Sequence, residues 1–182
     1  MLKTTRILFR EMVAEDWKAI HQYASKEIVS QYQPWGPNQE DDSIAYVNEV
    51  INDAKKKPRI RYAFAVVEKQ SNMLIGGGEI QITSLTNRVG EIGYVIHPDY
   101  WGKGFATETG RLLLKFGFEN LQLHRIFATC DPRNQASEKV LKKLDMKLEG
   151  KMRETILLKD GWRDSLLFSM LKHEWLDKKG LN

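Results

Sequence analysis

Two glycines, Gly102 and Gly104, lie between a strand-like run and a helix-like run. Glycine lets the main chain approach a ligand closely, and the first N–H groups of a helix have no partner inside it. Their dipoles favour negative charge by roughly 0.3–1 kcal/mol per contact at an exposed site. The stretch from Gly102 to Thr107 therefore reads as a turn that could hold a phosphate, although an ordinary strand-to-helix turn would use similar residues. It is not a Walker loop, because Lys103 sits between the glycines and not after them. It is not a dinucleotide fingerprint either, because Thr107 occupies the place of the third glycine.

Other side chains could act beside such a turn. Glu91 lies on the strand leading into it, as a candidate general base or as a carboxylate paired with Arg88 or a neighbour. Ser137 follows Asn134 by one helical turn, so both can face one side. Asn134 is a good helix cap as well as a good ligand, and Ser137 could instead bond its own backbone. Tyr32 and Trp35 sit in a loop punctuated by Pro34, Gly36 and Pro37, where they could line a substrate mouth or anchor packing. Cys130 lies in an apolar run with no evident His partner and reads as a structural thiol. His21 reads as a helix-face residue, and His97, before Pro98, as a turn residue or reserve base.

These residues need elements to position them. Strands are expected over residues 6–10, 61–68, 73–82, 88–96, 124–130 and 162–171, with another following 144–152. Helices are expected over 14–25, 41–55 and 107–121, and from Asn134 or Gln135 to 143. Gly76, Gly77 and Gly78 inside a strand point to a bulge or a close backbone approach. Asp160–Gly161 marks a hairpin turn, and residues 172–179 form a charged end. Linkers and repeats are not visible, so one α/β domain over 1–182 is expected.

Composition narrows the class. The 182 residues carry 29% charged and 42% apolar residues, enough for a core and wrong for disorder. Apolar runs fall short of the ~20 residues of a membrane span. A single cysteine fits a reducing cytoplasm. The net charge of +4 is scattered, with no basic stripe for nucleic acid.

The hexapeptide Trp101-Gly102-Lys103-Gly104-Phe105-Ala106 resembles the acetyl-CoA pyrophosphate loop of the GCN5-related N-acetyltransferases (GNAT), with Trp101 where that family has Gln or Arg. The likeness extends along the chain. TTRILFREM, NQAS followed by VLKKL, Glu149–Gly150, and the ending DGWRDSLLFSMLKHEW resemble the RimJ/RimL-like branch of ribosomal-protein N-acetyltransferases. One departure is Asp145–Met146, where the family has Gly-Phe. The resemblance implies the GNAT fold, an α/β (α+β) architecture. Its sheet is mixed and mostly antiparallel, with about seven strands, a V-shaped splay between two central parallel strands and helices on both faces. It implies acetyl-CoA in that splay and no metal. Val95 and Ile96 would bind pantetheine through their main chain. Gly102, Lys103, Gly104, Phe105, Ala106 and Thr107 would hold the pyrophosphate, and Asn134 the pantetheine arm. Ser137 would lie near the sulfur and stabilise the departing thiolate.

The reaction so implied is direct acetyl transfer to a primary amine, with Glu91 as base and, in the RimJ/RimL-like manner, a protein N-terminal amine as acceptor. An α-amine is about one-tenth neutral at pH 7, a lysine about one part in 2,500, a difference of about 3 kcal/mol. A weak base therefore suffices for a terminal amine. Two other readings are open: an antibiotic or other small-amine acetyltransferase, for which Glu40, Asp41 and Asp42 would supply acidic groups, and a CoA-binding regulatory domain without turnover. The expected partners are acetyl-CoA and an amine, with no nucleic acid and no membrane, in a monomer or homodimer.

Overall fold

A computed structural model describes residues 2–177. The elements run β1 (Ile7–Glu11), α1 (Trp17–Ala24), α2 (Glu27–Ser30), α3 (Glu40–Asp53), β2 (Arg61–Glu68), β3 (Leu74–Ser84), β4 (Val89–Ile96), α4 (Phe105–Lys115), β5 (Arg125–Cys130), α5 (Gln135–Lys143), β6 (Lys147–Leu158), β7 (Gly161–Leu171) and α6 (Lys172–Asp177). They form a seven-stranded sheet in the order β1-β2-β3-β4-β5-β7-β6. Neighbours are antiparallel except β4 and β5, which run parallel.

The alternation of β2 decides where the helices lie. Its central residues are buried on both sides, so each face must be covered. Ala63, Ala65 and Val67 pack with Ile20 and Tyr23 of α1 and Val47 and Val50 of α3. Phe64 and Val66 pack on the opposite face with Leu112 and Leu113 of α4 and Leu141 of α5. The inward side of α3 carries Ser43, Val47 and Val50, while Ile44 and Ile51 are only half-buried. The helix expected to Leu121 is α-helical to Lys115, and a π-helical turn, Phe116–Asn120, completes it.

The three glycines of β3 meet both expectations. The β2–β3 register slips between Val66 and Val67, where Gly76 pairs with Val66 and Leu74 with Val67. A Cβ on Gly76 would collide with the Val95 carbonyl oxygen, and one on Gly78 would reach Thr109 of α4 at 2.9 Å. The backbone obstacle at Gly76 cannot swing away, so Gly76→Ala is expected to destabilise by about 2–3 kcal/mol. In a chain of this size that lowers Tm by about 5–10 °C, measurable by thermal denaturation.

Two features differ from the expected elements. The short helix α2 precedes the aromatic loop, and α6 forms within the charged end, of which residues 178 and 179 lie outside the described residues. The departure at Asp145–Met146 alters the chain without altering the turn. Asp145 takes the left-handed conformation (φ +60°), which Asp tolerates better than most side chains, and its N–H reaches the Lys142 carbonyl at 2.9 Å. Met146 is buried in the core cluster against α5.

Candidate active site

Strands β4 and β5 pair only from Val89↔Arg125 to Glu91↔Phe127. Beyond that point β5 stays with β7 as far as Cys130↔Leu166, and β4 stays with β3. The two parallel strands therefore part into a V, and main-chain groups on their facing edges lose the partners a sheet would give.

The pairing of β3 with β4 shows which groups these are. The His97 N–H donates to the Ile75 carbonyl at 2.8 Å. In an antiparallel ladder the bonded pairs recur every second residue, so Val95 bonds across to its partner Gly77. Val95 was expected to offer its main chain to pantetheine; its amide and carbonyl face β3 instead. Tyr94 and Ile96 turn theirs toward the gap. The Ile96 carbonyl already accepts the Trp101 indole N–H at 2.6 Å, so Trp101 braces the strand exit.

The glycine turn follows. After a single 3-10 turn, Pro98–Tyr100, both Gly102 (φ +73°) and Gly104 (φ +84°) are left-handed, and Gly104 caps α4. No side chain caps the first turn of α4, so its leading N–H groups, on Phe105, Ala106 and Thr107, have no capping partner. The loop is braced from outside. The Arg6 guanidinium donates to the Lys103 carbonyl at 3.0 Å, bonds Glu108 and stacks over the Phe105 ring. Lys103 Nζ bonds the Asp99 carbonyl at 2.8 Å, and the Phe105 side chain is buried. The first turn of α4 thus presents main chain outward while its side chains are held elsewhere.

A cavity of about 910 Å³ spans the gap, lined by Glu91 to Val95 of β4 and Ala128 to Cys130 of β5. Its walls include Tyr46 and Glu49 of α3, Glu79 of β3 and Glu91 of β4, and it reaches Asn134 and Ser137 at α5. Glu91 is half-buried and accepts a hydrogen bond from Thr129 Oγ1 at 3.3 Å. It makes no ion pair with Arg88 or with any other described residue. Burial pushes its pKa above the ordinary carboxylate range; the Thr129 bond pulls it down, and the nearby Glu79 charge pushes it up again. Glu79, by contrast, is held by Arg61 at 2.9 Å, which also reaches Glu49 and Asp53.

At the far wall, Asn134 Oδ1 accepts the Ser137 N–H at 3.0 Å, so the side chain serves as the α5 cap. That leaves its NH₂ group for a ligand. Ser137 is half-buried and lines the cavity together with Tyr94. Cys130 lines the same wall; burial pushes its thiol up to about 11, so it stays protonated and poorly nucleophilic at neutral pH. His97 packs edge-on against Tyr23 and Tyr100, away from the cavity lining.

Tyr32 and Trp35 both line the cavity from the 31–39 loop, and Trp35 also packs on the α1–α3 cluster. The loop is tethered across the molecule. Arg163 of β7 is buried and donates to the Tyr32 carbonyl at 3.0 Å. Arg133 stacks on the Tyr32 ring while bridging Asp131 and Asp160. Burial pushes Asp131 up, but the Arg133 hydrogen bonds and charge outweigh this and hold it below the usual range.

Tyr94, Arg163 and the Arg61–Glu79 pair escaped the sequence reading. Period-2 alternation already places Tyr94 opposite in facing to Glu91. Nothing local to Arg163 reveals a partner at Tyr32.

Residues 6–147 match the family model described as acetyltransferase (GNAT) domain. The chain belongs to the GNAT acetyltransferases. It is 35% identical to the uncharacterized N-acetyltransferase YnaD of Bacillus subtilis (strain 168) over 174 residues, covering 96% of this chain and 98% of that one. Its fold superposes on a GNAT-family acetyltransferase structure from Bacillus anthracis with a TM-score of 0.83 and 33% identity, over 95% of this chain and 99% of that chain. A partial match, 27% identical over 90 residues, covers half of this chain and 48% of the spermidine N(1)-acetyltransferase of Escherichia coli (strain K12).

As a GNAT member the protein is an acetyl-CoA-dependent N-acetyltransferase, and its seven-stranded, mostly antiparallel sheet is the GNAT fold. The site suits that ligand. It offers uncapped N–H groups and left-handed glycines for a diphosphate, and unpaired strand edges for an amide-bearing arm. Among the described residues no cluster of three or more His, Cys, Asp or Glu could hold a metal, and no helix is long and apolar enough to cross a membrane.

Proposed function

We propose that this GNAT domain acetylates a primary amine directly, with a protein N-terminal α-amine as acceptor in the RimJ/RimL-like manner. The observation that carries the reading is Glu91: an ion-pair-free carboxylate in a cavity that runs to Asn134 and Ser137. Gly102 to Thr107 would hold the diphosphate by main-chain N–H groups. Tyr94 and Ile96 would meet the pantetheine amides, and the Asn134 NH₂ would bond the same arm.

Acetyl-CoA supplies the activated acetyl group as a thioester. The chain's own residues do the rest. Glu91 takes the proton that the amine nitrogen gives up as its bond to the acetyl carbon forms. Tyr32 and Trp35 cover the acceptor side and exclude water. As the carbon–sulfur bond breaks, its electron pair stays on sulfur, where the Ser137 hydroxyl donates a hydrogen bond. One carboxylate is a weak base, which is enough for an α-amine and poor for a lysine, by about 3 kcal/mol in deprotonation alone.

A small cationic amine is the second reading, favoured by the acidic wall. Asp42 and Glu49 on one side of α3, with Glu79 and Glu91 on the sheet, give the cavity more carboxylates than its lining arginines, Arg61 and Arg163, can balance. Release of free CoA thiol, measured against ribosomal-protein N-terminal peptides, amino acids, polyamines and aminoglycosides, separates the two. The first reading expects the highest kcat/KM with an N-terminal peptide. A polyamine or aminoglycoside preferred by tenfold or more would replace it with the second.

A further inference from the structure

Tyr94 carries a group that the reaction as drawn does not use. Its ring belongs to the cluster between the sheet and helices α4 and α5, where a phenylalanine would pack equally well. Its hydroxyl oxygen is buried and has no hydrogen-bond partner among the described residues. An unsatisfied buried hydroxyl costs about 1–3 kcal/mol, so the oxygen is a burden to the fold where it stands. It lies on the parted stretch of β4, past the last pair with β5, and shares a cavity wall with Ser137 at the start of α5. Gly78 is its partner on β3, so no side chain there offers it a bond.

We infer that Tyr94 is a positioning residue for Ser137: its phenolic O–H donates to Ser137 Oγ and so turns the serine's own proton toward the sulfur of the bound thioester. The inference rests on the Ser137 role proposed above. A serine hydroxyl has one proton and several directions in which to point it. Left alone, Ser137 can aim that proton back at the helix carbonyls behind it. A donor on the opposite side occupies a lone pair of the oxygen and removes those orientations. Tyr94 suits the task because burial pushes its pKa upward, so it remains a donor throughout the working pH range. No proton leaves Tyr94. The serine proton faces the sulfur as negative charge develops there, and two aligned hydroxyls polarise each other, so the outer bond strengthens. The hydroxyl that is idle in the free protein gains a partner when a small rotation closes the pair.

Tyr94→Phe, Ser137→Ala and the double variant test this. Expected for Tyr94→Phe is a fall in kcat of about tenfold, the loss of one aligned hydrogen bond worth about 1.4 kcal/mol. The KM for the amine, the acetyl-CoA Kd by calorimetry and Tm should be unchanged or, for Tm, slightly raised. In the Ser137→Ala background the same substitution should have no further effect on kcat. A slow Ser137→Ala enzyme beside a full-rate Tyr94→Phe enzyme overturns the inference and leaves the serine role standing. Independent, multiplicative losses in the double variant also overturn it. A full-rate Ser137→Ala enzyme overturns the serine role itself. A Tyr94→Phe loss that appears in KM or Tm and not in kcat shows packing alone and ends the proposal.

Discussion

Gly104→Val leaves the enzyme folded but weakens acetyl-CoA binding by about 100-fold or more. Gly104 sits at φ +84° as the cap of α4, a conformation that a β-branched residue adopts only with strain of roughly 1–2 kcal/mol. Around it a Cβ meets only the end of the Arg6 side chain, at 3.4 Å, an ordinary contact, so the rest of the domain has no reason to rearrange. The chain escapes the strain by pulling the turn away from the left-handed region. That movement re-aims the N–H groups of Phe105, Ala106 and Thr107, which together form the proposed anion site. A hundredfold loss corresponds to about 2.7 kcal/mol, the worth of one or two charge-assisted hydrogen bonds. Gly102 provides the comparison. Its φ is +73°, yet nothing lies within 4 Å of a Cβ placed there and it does not cap the helix, so Gly102→Ala should weaken binding far less. Calorimetry with CoA reads both. Equal, small losses at the two glycines would remove the N-terminus of α4 from the site.

The second large effect is at Glu91. Glu91→Gln should lower kcat by about 10²-fold, within the range for loss of a general base, with the acetyl-CoA Kd unchanged. The pH dependence should change with it. Burial raises the Glu91 pKa, so the folded state holds that proton more tightly than the unfolded chain does. Its favourable contribution to stability is therefore complete below the unfolded carboxylate pKa and is lost as pH rises through the raised folded value. At pH 7 and above, the ionised side chain is a net cost to the fold. Glutamine removes that cost, so the variant should melt higher than the parent at pH 7.5 and show no gain at pH 4. Catalysis runs the other way: the parent loses activity as acid protonates Glu91, and Glu91→Gln should lack that acidic limb. An unchanged pH–rate profile takes Glu91 out of the chemistry, whatever happens to Tm.

Which parts of the site the sequence reveals follows from how local each cause is. Gly102 and Gly104 announce themselves, because only a demand for left-handed backbone puts glycine at both places. The two faces of the sheet are legible in the alternation of β2, and the bulge and close approach at β3 in three consecutive glycines. Asp145 stands where the resembled family has glycine, and it adopts the left-handed conformation that glycine favours. The parting of β4 and β5 is different. It depends on β5 keeping its bonds to β7 while β4 keeps its bonds to β3, and no residue of either strand encodes that competition by itself. The facing of the Val95 main chain is hidden for a related reason: it alternates with the ladder, and its phase is set by the His97–Ile75 bond just outside the strand. Asn134 was read as cap or ligand, and the cap has taken its carbonyl while leaving its amide nitrogen. Arg163 and Tyr32 are 131 residues apart, so their bond is a product of topology. The idle oxygen of Tyr94 is legible only in three dimensions, since burial and lack of a partner are properties of the packed state.

The most direct test of the whole account is a crystal structure of the protein grown with CoA at saturating concentration. The account predicts the diphosphate against the N–H groups at the start of α4 and the pantetheine arm along the free edge of β4 beside Tyr94 and Ile96. The thiol should end between Glu91 and Ser137. Coenzyme bound outside the β4–β5 gap, or a gap without coenzyme density at that concentration, would contradict it.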